Sequence, residues 1–419
     1  MQECIESHLI PSLETELRRD LLRMSREALV EEVKSNFSKM VSLGPYRDKS
    51  VNIKKVLKRL PYRASVYSVA VVYVSGDYGK DQGPLCLAYM NRDGILKSTD
   101  FVPASAKSKN RERVRMFLKA NRPEVVVVNS SGGNLSRGMY NMIKRSLLNE
   151  ITVMFQNESK EKREQLNSEY SMYEEELDDI IFEPDVLIVK DDVARIFKLS
   201  RRSKKMFPDL QPDVAAAVCL GRYVQEPLAE LCSMWGSADA VGTFGVETLF
   251  LDIHPLKGEL KGLRNTLLRS LEQVLVDSVS DAGVDLNLAI SHDHLAPMLG
   301  FVCGLGLRKA DALRQNIRRQ MSAIHFRKEL LERKLLGGIV YTNAAGFLKV
   351  YDMTGRNNCD PLDNTRIHPE CYITYDFTHK ICAEAMDLEN DPDSHNEIIY
   401  LTQKVKFAIL YNDNKKKKL

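Results

Sequence analysis

Apolar residues change their period along this chain, and the changes divide it. Leu29, Val30, Val33, Phe37, Met40 and Val41 recur three and four residues apart, which is one stripe of a helix, and Gly44-Pro45 stops it. A shorter helix precedes it, so residues 1–60 read as a helical segment with one face to bury on the core. From Tyr67 the period changes. Tyr67–Val74 is a β-branched run, Leu85–Met90 follows, Asn91-Arg92-Asp93-Gly94 signals a turn, and Ile95–Val102 returns as a third strand. A basic helix over about Arg111–Ala120 leads through Pro123 to Val125–Val128. So short and wholly apolar a strand suits the centre of a sheet covered on both faces. A helix near Met139–Leu148, a strand Val186–Val189 and a further helix complete the order βββαβαβα, that of the ribonuclease-H-like fold.

The remaining segments are helical or polar. Residues 157–179 carry a Lys/Glu run and Glu174-Glu175-Glu176 without a core-forming stripe, and read as a solvated insertion or an interaction tail. A helix over about Asp213–Gln225 breaks at Pro227, which can open the next helix; there Leu228, Leu231, Cys232 and Trp235 share a face. Leu263, Leu267, Leu271, Val274 and Leu275 mark a long amphipathic helix over 260–279. A bend at Gly304-Leu305-Gly306 and a second around Leu336-Gly337-Gly338-Ile339 follow. The fold class is therefore multidomain, α/β plus α: a helical segment (1–60), a mixed-sheet domain (64–200), a helical connector with a hairpin block (201–349), and a small, mostly helical unit over 350–419 with an acidic stretch after Met386.

Length and charge narrow the classes. The chain has 419 residues, room for two to four domains. Its net charge is only +3, so any nucleic-acid surface must be local. The eight cysteines never form C-x-x-C and sit mostly in apolar runs; they read as reduced core thiols of an intracellular protein. No signal peptide is evident, and the longest apolar run, around Val66–Val74, is too short to span a bilayer, so no membrane partner is expected. Lys415–Lys418 is a solvated end, or a nuclear-import or phosphate-binding patch.

The candidate chemistry centres on Phe301–Ala310. Two glycines one apart let the backbone turn sharply and approach a partner closely. The first amides of the helix that follows have no acceptor within it and sit at its positive dipole end, where a phosphate fits. Leu299 and Val302 before the bend, with Ala310 and Leu313 after it, frame a helix-hairpin-helix, a module that grips nucleic-acid backbone without reading sequence. The glycine pair can also serve only to turn the chain. Gly304, Leu305, Gly306, Arg308 and Lys309, with Arg314, Arg318 and Arg319 further along, are the candidate nucleic-acid-binding residues. A dinucleotide site is excluded because Lys309 stands where the third glycine of G-x-G-x-x-G belongs.

A ribonuclease-H-like nuclease needs carboxylates at the tips of neighbouring strands to hold two magnesium ions. The first strand here has none; Asp77 lies beyond it, in a turn. The fourth ends Asn129-Ser130-Ser131, again without an acid. Asp191-Asp192 after the fifth strand can supply the third position, or equally an N-cap and a first-turn acid of the next helix. With two positions empty, no catalytic residue, metal ligand or cofactor is assigned; a metal-dependent nuclease using Asp77, Asp191 and Asp192 on branched nucleic acid is the alternative. His292-Asp293-His294 permits a metal or a capping reading.

Five motifs occur in one order: His8–Arg19 (HLIPSLETELRR), Gly283–Asn287 (GVDLN), Gly304–Lys309 (GLGLRK), Asn343–Leu348 (NAAGFL) and Arg366–Tyr372 (RIHPECY). Together they resemble the eukaryotic transcription elongation factors and histone chaperones of the suppressor-of-Ty-six family, over about residues 8–386; bacterial Tex proteins are more distant relatives. The resemblance implies a degenerate ribonuclease-H-like (YqgF-type) domain, a helix-hairpin-helix block and a death-like domain over 350–419. It also implies residence in the nucleus and association with the RNA polymerase II elongation complex. DNA or RNA backbone would be the ligand of the hairpin, and histones or nucleosomes partners mainly of other regions. Family members are much longer. Their acidic N-terminal region, RNA-binding barrel and tandem Src-homology-2 pair have no counterpart in these residues, so phosphopeptide binding is not expected of them.

Overall fold

A computed structural model describes residues 5–46, 67–75, 83–105, 110–154, 184–235, 245–255, 262–320, 323–350 and 361–372. The charged insertion at 157–179, Asp77, the acidic stretch after Met386, the C-terminal lysines and most of the expected death-like segment lie outside them. The chain forms two compact units, one of residues 43–259 and one of residues 1–42 with 260–419.

The sheet unit is built on five strands in the order β3-β2-β1-β4-β5. β1 (Val69–Val74) runs antiparallel to β2 (Leu85–Met90), which pairs antiparallel with β3 (Leu96–Val102). β1 also runs parallel to β4 (Val125–Asn129), and β4 parallel to β5 (Asp185–Val189). Each strand lies within a residue or two of its sequence expectation. The reason is local: β1 and β4 are apolar at nearly every position and buried at every position, as strands covered on both faces must be.

One face of the sheet meets α2 (Asn110–Asn121) and α3 (Asn134–Met142). Ala70, Val72 and Val74 of β1, Leu85 and Leu87 of β2, and Val126 and Val128 of β4 close there on Val114, Leu118, Ile143, Leu147 and Ile151. The sequence reading starts the second of these helices at Met139; it starts at Asn134, directly after Gly132-Gly133, and continues through a π-helical turn over Ile143–Leu147.

After α4 (Asp192–Leu199) and α5 (Arg201–Met206), helix α6 (Pro212–Gln225) covers the opposite face across β1 and β2. Small residues make the approach possible: Ala215, Ala216 and Ala217 are buried, and a Cβ on Gly221 would collide with Met90 Cε and stand 2.9 Å from Val71 Cγ2. The described residues between 201 and 255, including α7 (Pro227–Trp235), belong to the sheet unit rather than to the hairpin unit, a partition that local periodicity does not carry. Burial pushes the Cys86 thiol up to about 12, with Asp213 adding to it, and raises those of Cys219 and Cys232.

The other unit opens with α1 (Ile10–Val41), one continuous helix where the sequence suggests a pair. No breaker interrupts it, and Pro11 falls in its first turn, where a missing N–H costs nothing. Its C-terminal half buries Val33, Phe37 and Val41 and packs on α8 (Arg264–Ala282), whose Leu267, Leu271, Val274 and Leu275 are buried. Its N-terminal half leaves Ile10, Leu13, Leu17, Leu21 and Met24 half exposed or more. β6 (Val284–Asp285) then pairs in parallel with β7 (Leu348–Lys349). Between them lie α9 (Leu286–Ser291), a 3-10 turn (Ala296–Phe301), α10 (Gly306–Gln320), α11 (Glu329–Glu332) and α12 (Gly338–Ala344). Arg327, fully buried, donates Nε to Leu348 O at 2.7 Å and Nη1 to Ile367 O at 2.5 Å, fastening the Pro361–Tyr372 segment to β7. Among the described residues no helix is long and apolar enough to cross a membrane.

Replacing Gly221 with valine tests the helix-on-sheet contact. Overpacking against Met90 and Val71 should lower unfolding stability by about 1–3 kcal/mol, read by urea denaturation.

Candidate nucleic-acid interface

The bend at Leu305 is built by alternation. Val302 and Leu305 are buried at 2% and 4% exposure, while Gly304 and Gly306 between and after them are exposed. Leu305 N–H donates to Val302 O at 3.0 Å, closing the turn. Gly304 and Gly306 have φ of +86° and +70°, the left-handed region that favours glycine. A Cβ on Gly304 would stand 2.8 Å from Asn343 Cβ, so the first hairpin sits directly against α12 of the second. α10 begins at Gly306, the last residue of the bend, a little before the two basic residues expected to open it. The element before the bend differs from expectation: it is the short α9 followed by a 3-10 turn, not one helix.

The helix then sorts its basic residues. Ala310, Leu313 and Ile317 face inward. Arg308 and Arg319, eleven residues apart, project from the opposite side and are separated by about 16 Å along the axis; both are exposed. Lys309 bends back and donates Nζ to Gly304 O at 3.2 Å. The bend, Arg308 and Lys309 are therefore gathered at one helix start, its dipole and open amides adding positive potential.

Arg314 and Arg318 are directed elsewhere. Arg318 donates Nε and Nη2 to Ile290 O at 3.0 and 2.7 Å, capping an orphan carbonyl near the end of α9. Arg318 Nη2 also reaches Asp293 Oδ1 at 2.8 Å, and Arg314 pairs with the same carboxylate. Arg318, with Arg314, holds the Asp293 carboxyl below its usual range against partial burial. The His292-Asp293-His294 motif is thus an arginine clamp, and no group of three metal-ligating side chains occurs among the described residues. Asp293 is the residue that sequence reasoning left without this role; its only signal is its place just after a helix end.

The carboxylates of the sheet edge are also engaged. Asn129, fully buried, accepts Val74 N–H at 2.8 Å and donates to Val74 O at 3.0 Å, bridging β4 to β1 where their pairing ends. A carboxylate cannot donate to that carbonyl. Asp191 stands at the N-cap position of α4, yet its side chain makes no cap bond; Oδ2 accepts Ser131 Oγ at 2.5 Å and Asn129 Nδ2 at 3.4 Å. Burial and then Asp191 push the Tyr73 hydroxyl far up. Asp192 pairs with Arg195. Asp213, at the start of α6, is absent from the sequence candidates; it pairs with Lys198 and accepts Ser75 Oγ at 2.7 Å.

Comparison with known proteins bears on this arrangement. A family model described as a helix-hairpin-helix motif matches residues 246–351. The chain is 30% identical over 377 residues to a protein of Aspergillus fumigatus named transcription elongation factor spt6, covering 87% of this chain and 24% of that protein. It is 28% identical over 413 residues to the transcription elongation factor SPT6 homolog of Arabidopsis thaliana, covering 95% and 22%. It is 23% identical over 399 residues to the suppressor of Ty 6 homolog of Caenorhabditis briggsae, covering 93% and 24%. The chain spans about a quarter of the length of these curated relatives.

Two substitutions test the assignments. Because the Asp293 carboxyl is lowered in the folded state, its contribution is present above the unfolded carboxylate value and lost as pH falls through the folded one. Asp293→Asn should therefore cost up to about 1 kcal/mol at pH 7 for so exposed a pair, and the difference from the parent should close below pH 4. Asn129→Asp removes a donor and sets a second carboxylate beside Asp191. It should cost about 1–3 kcal/mol at pH 8. The cost should shrink towards pH 4, because a carboxyl raised in the folded state loses stability as pH rises. Urea titrations across pH measure both.

Proposed function

The chain belongs to the family of the Spt6 transcription elongation factors, matching about a quarter of their length, and from that premise we propose that it is a non-catalytic nucleic-acid-binding segment acting in transcription elongation. The observation that carries the reading is the bend opening α10, where Gly304 and Gly306 are exposed on either side of the buried Leu305, beside the exposed Arg308 and Lys309. An anion there meets open amides, a helix dipole and two cations. Arg319 extends the grip along the strand, and contacts to phosphate position the backbone without carrying base information, so the grip is indifferent to sequence. Arg314 and Arg318 serve it indirectly, by holding α10 on α9.

The sheet unit is, in this proposal, a degenerate ribonuclease-H-like domain with a structural role. Support comes from Asn129 at the tip of β4 and from Asp191, which is spent on Ser131 and Asn129. Residues 350–419 would form the death-like domain. The nucleus is the proposed location, and the RNA polymerase II elongation complex the proposed protein partner. Histones or nucleosomes would be engaged mainly through other regions of family members.

Fluorescence anisotropy with a labelled duplex, titrated between about 50 and 200 mM KCl, tests the interface. Arg308→Glu with Lys309→Glu and Arg319→Glu should weaken binding about tenfold or more at low salt. It should also reduce the slope of log K against log salt by about 0.9 for each phosphate no longer neutralised. Arg314→Gln should lower stability and leave the slope unchanged. Unaltered binding in the triple variant would show the interface to be elsewhere. A labelled four-way junction incubated with magnesium or manganese should stay intact; cleavage that Asp191→Asn abolishes would overturn the non-catalytic reading.

A further inference from the structure

The sheet unit carries a second charged surface, away from the hairpins in sequence and independent of the reading above. Lys198, Arg201, Arg202, Lys204 and Lys205 fall within eight residues. The fold divides them. Lys198 pairs with Asp213. Arg202 turns inward, its Nη2 3.3 Å from Glu230 Oε2 and its guanidinium 4.5 Å from the centre of the Phe197 ring. Ser200 fixes this division: its Oγ accepts Ser203 N–H at 3.1 Å, and Ser203 is buried, so α5 lies with one face down. Arg201, Lys204 and Lys205 are left exposed at i, i+3 and i+4, one helical face. None of the three has a carboxylate partner among the described residues. The acids near them in sequence are taken or single: Asp192 holds Arg195, Asp213 holds Lys198, and Asp209 stands exposed.

Immediately before this strip, at the end of α4, Leu199 is 82% exposed. Like charges gathered on one face repel one another, and the repulsion is relieved when an anionic partner docks. An isolated surface leucine is ordinary; one set at the edge of three uncompensated cations distinguishes between anions. A sugar-phosphate backbone offers only small sugar C–H groups to cover it, whereas an acidic peptide can bring a bulky apolar side chain.

We propose that Leu199, Arg201, Lys204 and Lys205 form a docking surface for an acidic peptide segment carrying apolar residues. The carboxylates would meet the face of α5 and an apolar side chain would cover Leu199.

The test uses the full chain and three fluorescein-labelled probes: a peptide of Glu-Glu-Leu repeats, one of Glu-Glu-Ser repeats, and a duplex DNA. The leucine peptide should bind more tightly than the serine peptide, with an affinity that falls with salt. Arg201→Glu with Lys204→Glu and Lys205→Glu should weaken the leucine peptide about tenfold or more. Leu199→Ser should erase the advantage of the leucine peptide while leaving the serine peptide as it was. Arg308→Glu should not affect either peptide. All four positions are on the surface, and an unchanged circular dichroism spectrum and unfolding midpoint would show the variants folded. Equal binding of the two peptides by the parent chain would overturn the proposal. So would peptide binding that is insensitive to the triple reversal. A triple reversal that weakens the duplex alone would make nucleic acid the occupant and overturn it equally.

Discussion

The geometry of the hairpin unit depends on one close approach. Gly304 meets Asn343 at a distance where no side chain fits, and it does so at a φ that glycine alone adopts easily. That approach sets the bend of the first hairpin against the helix of the second. Three of the other four motifs converge on the same neighbourhood, while His8–Arg19 lies at the half-exposed N-terminal end of the first helical segment. Val284 N–H donates to Phe347 O at 2.8 Å, a Cβ on Gly283 would meet Lys349 Cε at 2.7 Å, and Arg366 lies 6.0 Å from the centre of the Phe347 ring. His368 Nε2 bonds Thr342 O at 2.8 Å. Stretches far apart in the chain thus become one assembly. In the proposed reading it holds the bend at Leu305 still, because a preorganised loop binds an anion without first having to be ordered.

At the edge of the sheet, the same economy of polar groups has a different outcome. A two-metal site requires carboxylates whose oxygens are free to face a cation. Here the buried amide of Asn129 uses its donor and acceptor on the main chain of β1. Asp191 is satisfied by a hydroxyl and that amide, and Asp213 by a lysine and a hydroxyl. Buried polar groups that are fully hydrogen-bonded rigidify a core. The network therefore ties the ends of β1 and β4 to the starts of α4 and α6, which is a structural use of positions that could otherwise serve chemistry.

Much of this was legible in the sequence where the signal is local. β1 and β4 are recognisable because a strand buried on both faces must be apolar at successive positions, and the bend because two glycines flank one leucine. What depends on distant partners was not legible. The start of α3 is set by Gly133 in a conformation outside the helical region, with φ of 56°. The placement of α6 on the sheet rests on Gly221 meeting Met90, far away in the chain. The continuity of α1 needs no more than the absence of a breaker between Pro11 and Gly44, where the sequence reading has a pair of helices.

The arginines of α10 show why composition alone overcounts the cations of the proposed interface. Arg308, Arg314, Arg318 and Arg319 are chemically identical, and a basic helix invites assigning all of them to phosphate. Each step along a helix turns the side chain by about 100°. With Ala310, Leu313 and Ile317 buried, Arg314 and Arg318 fall at the flank of the packed face, within reach of the carbonyl end of α9 and of Asp293. Arg308 and Arg319 fall opposite. A guanidinium already donating to a carbonyl and a carboxylate must give up those bonds before it can serve a phosphate, so its charge adds little to the affinity of the surface. The number of available cations is therefore set by helix phase and by the neighbouring helix end.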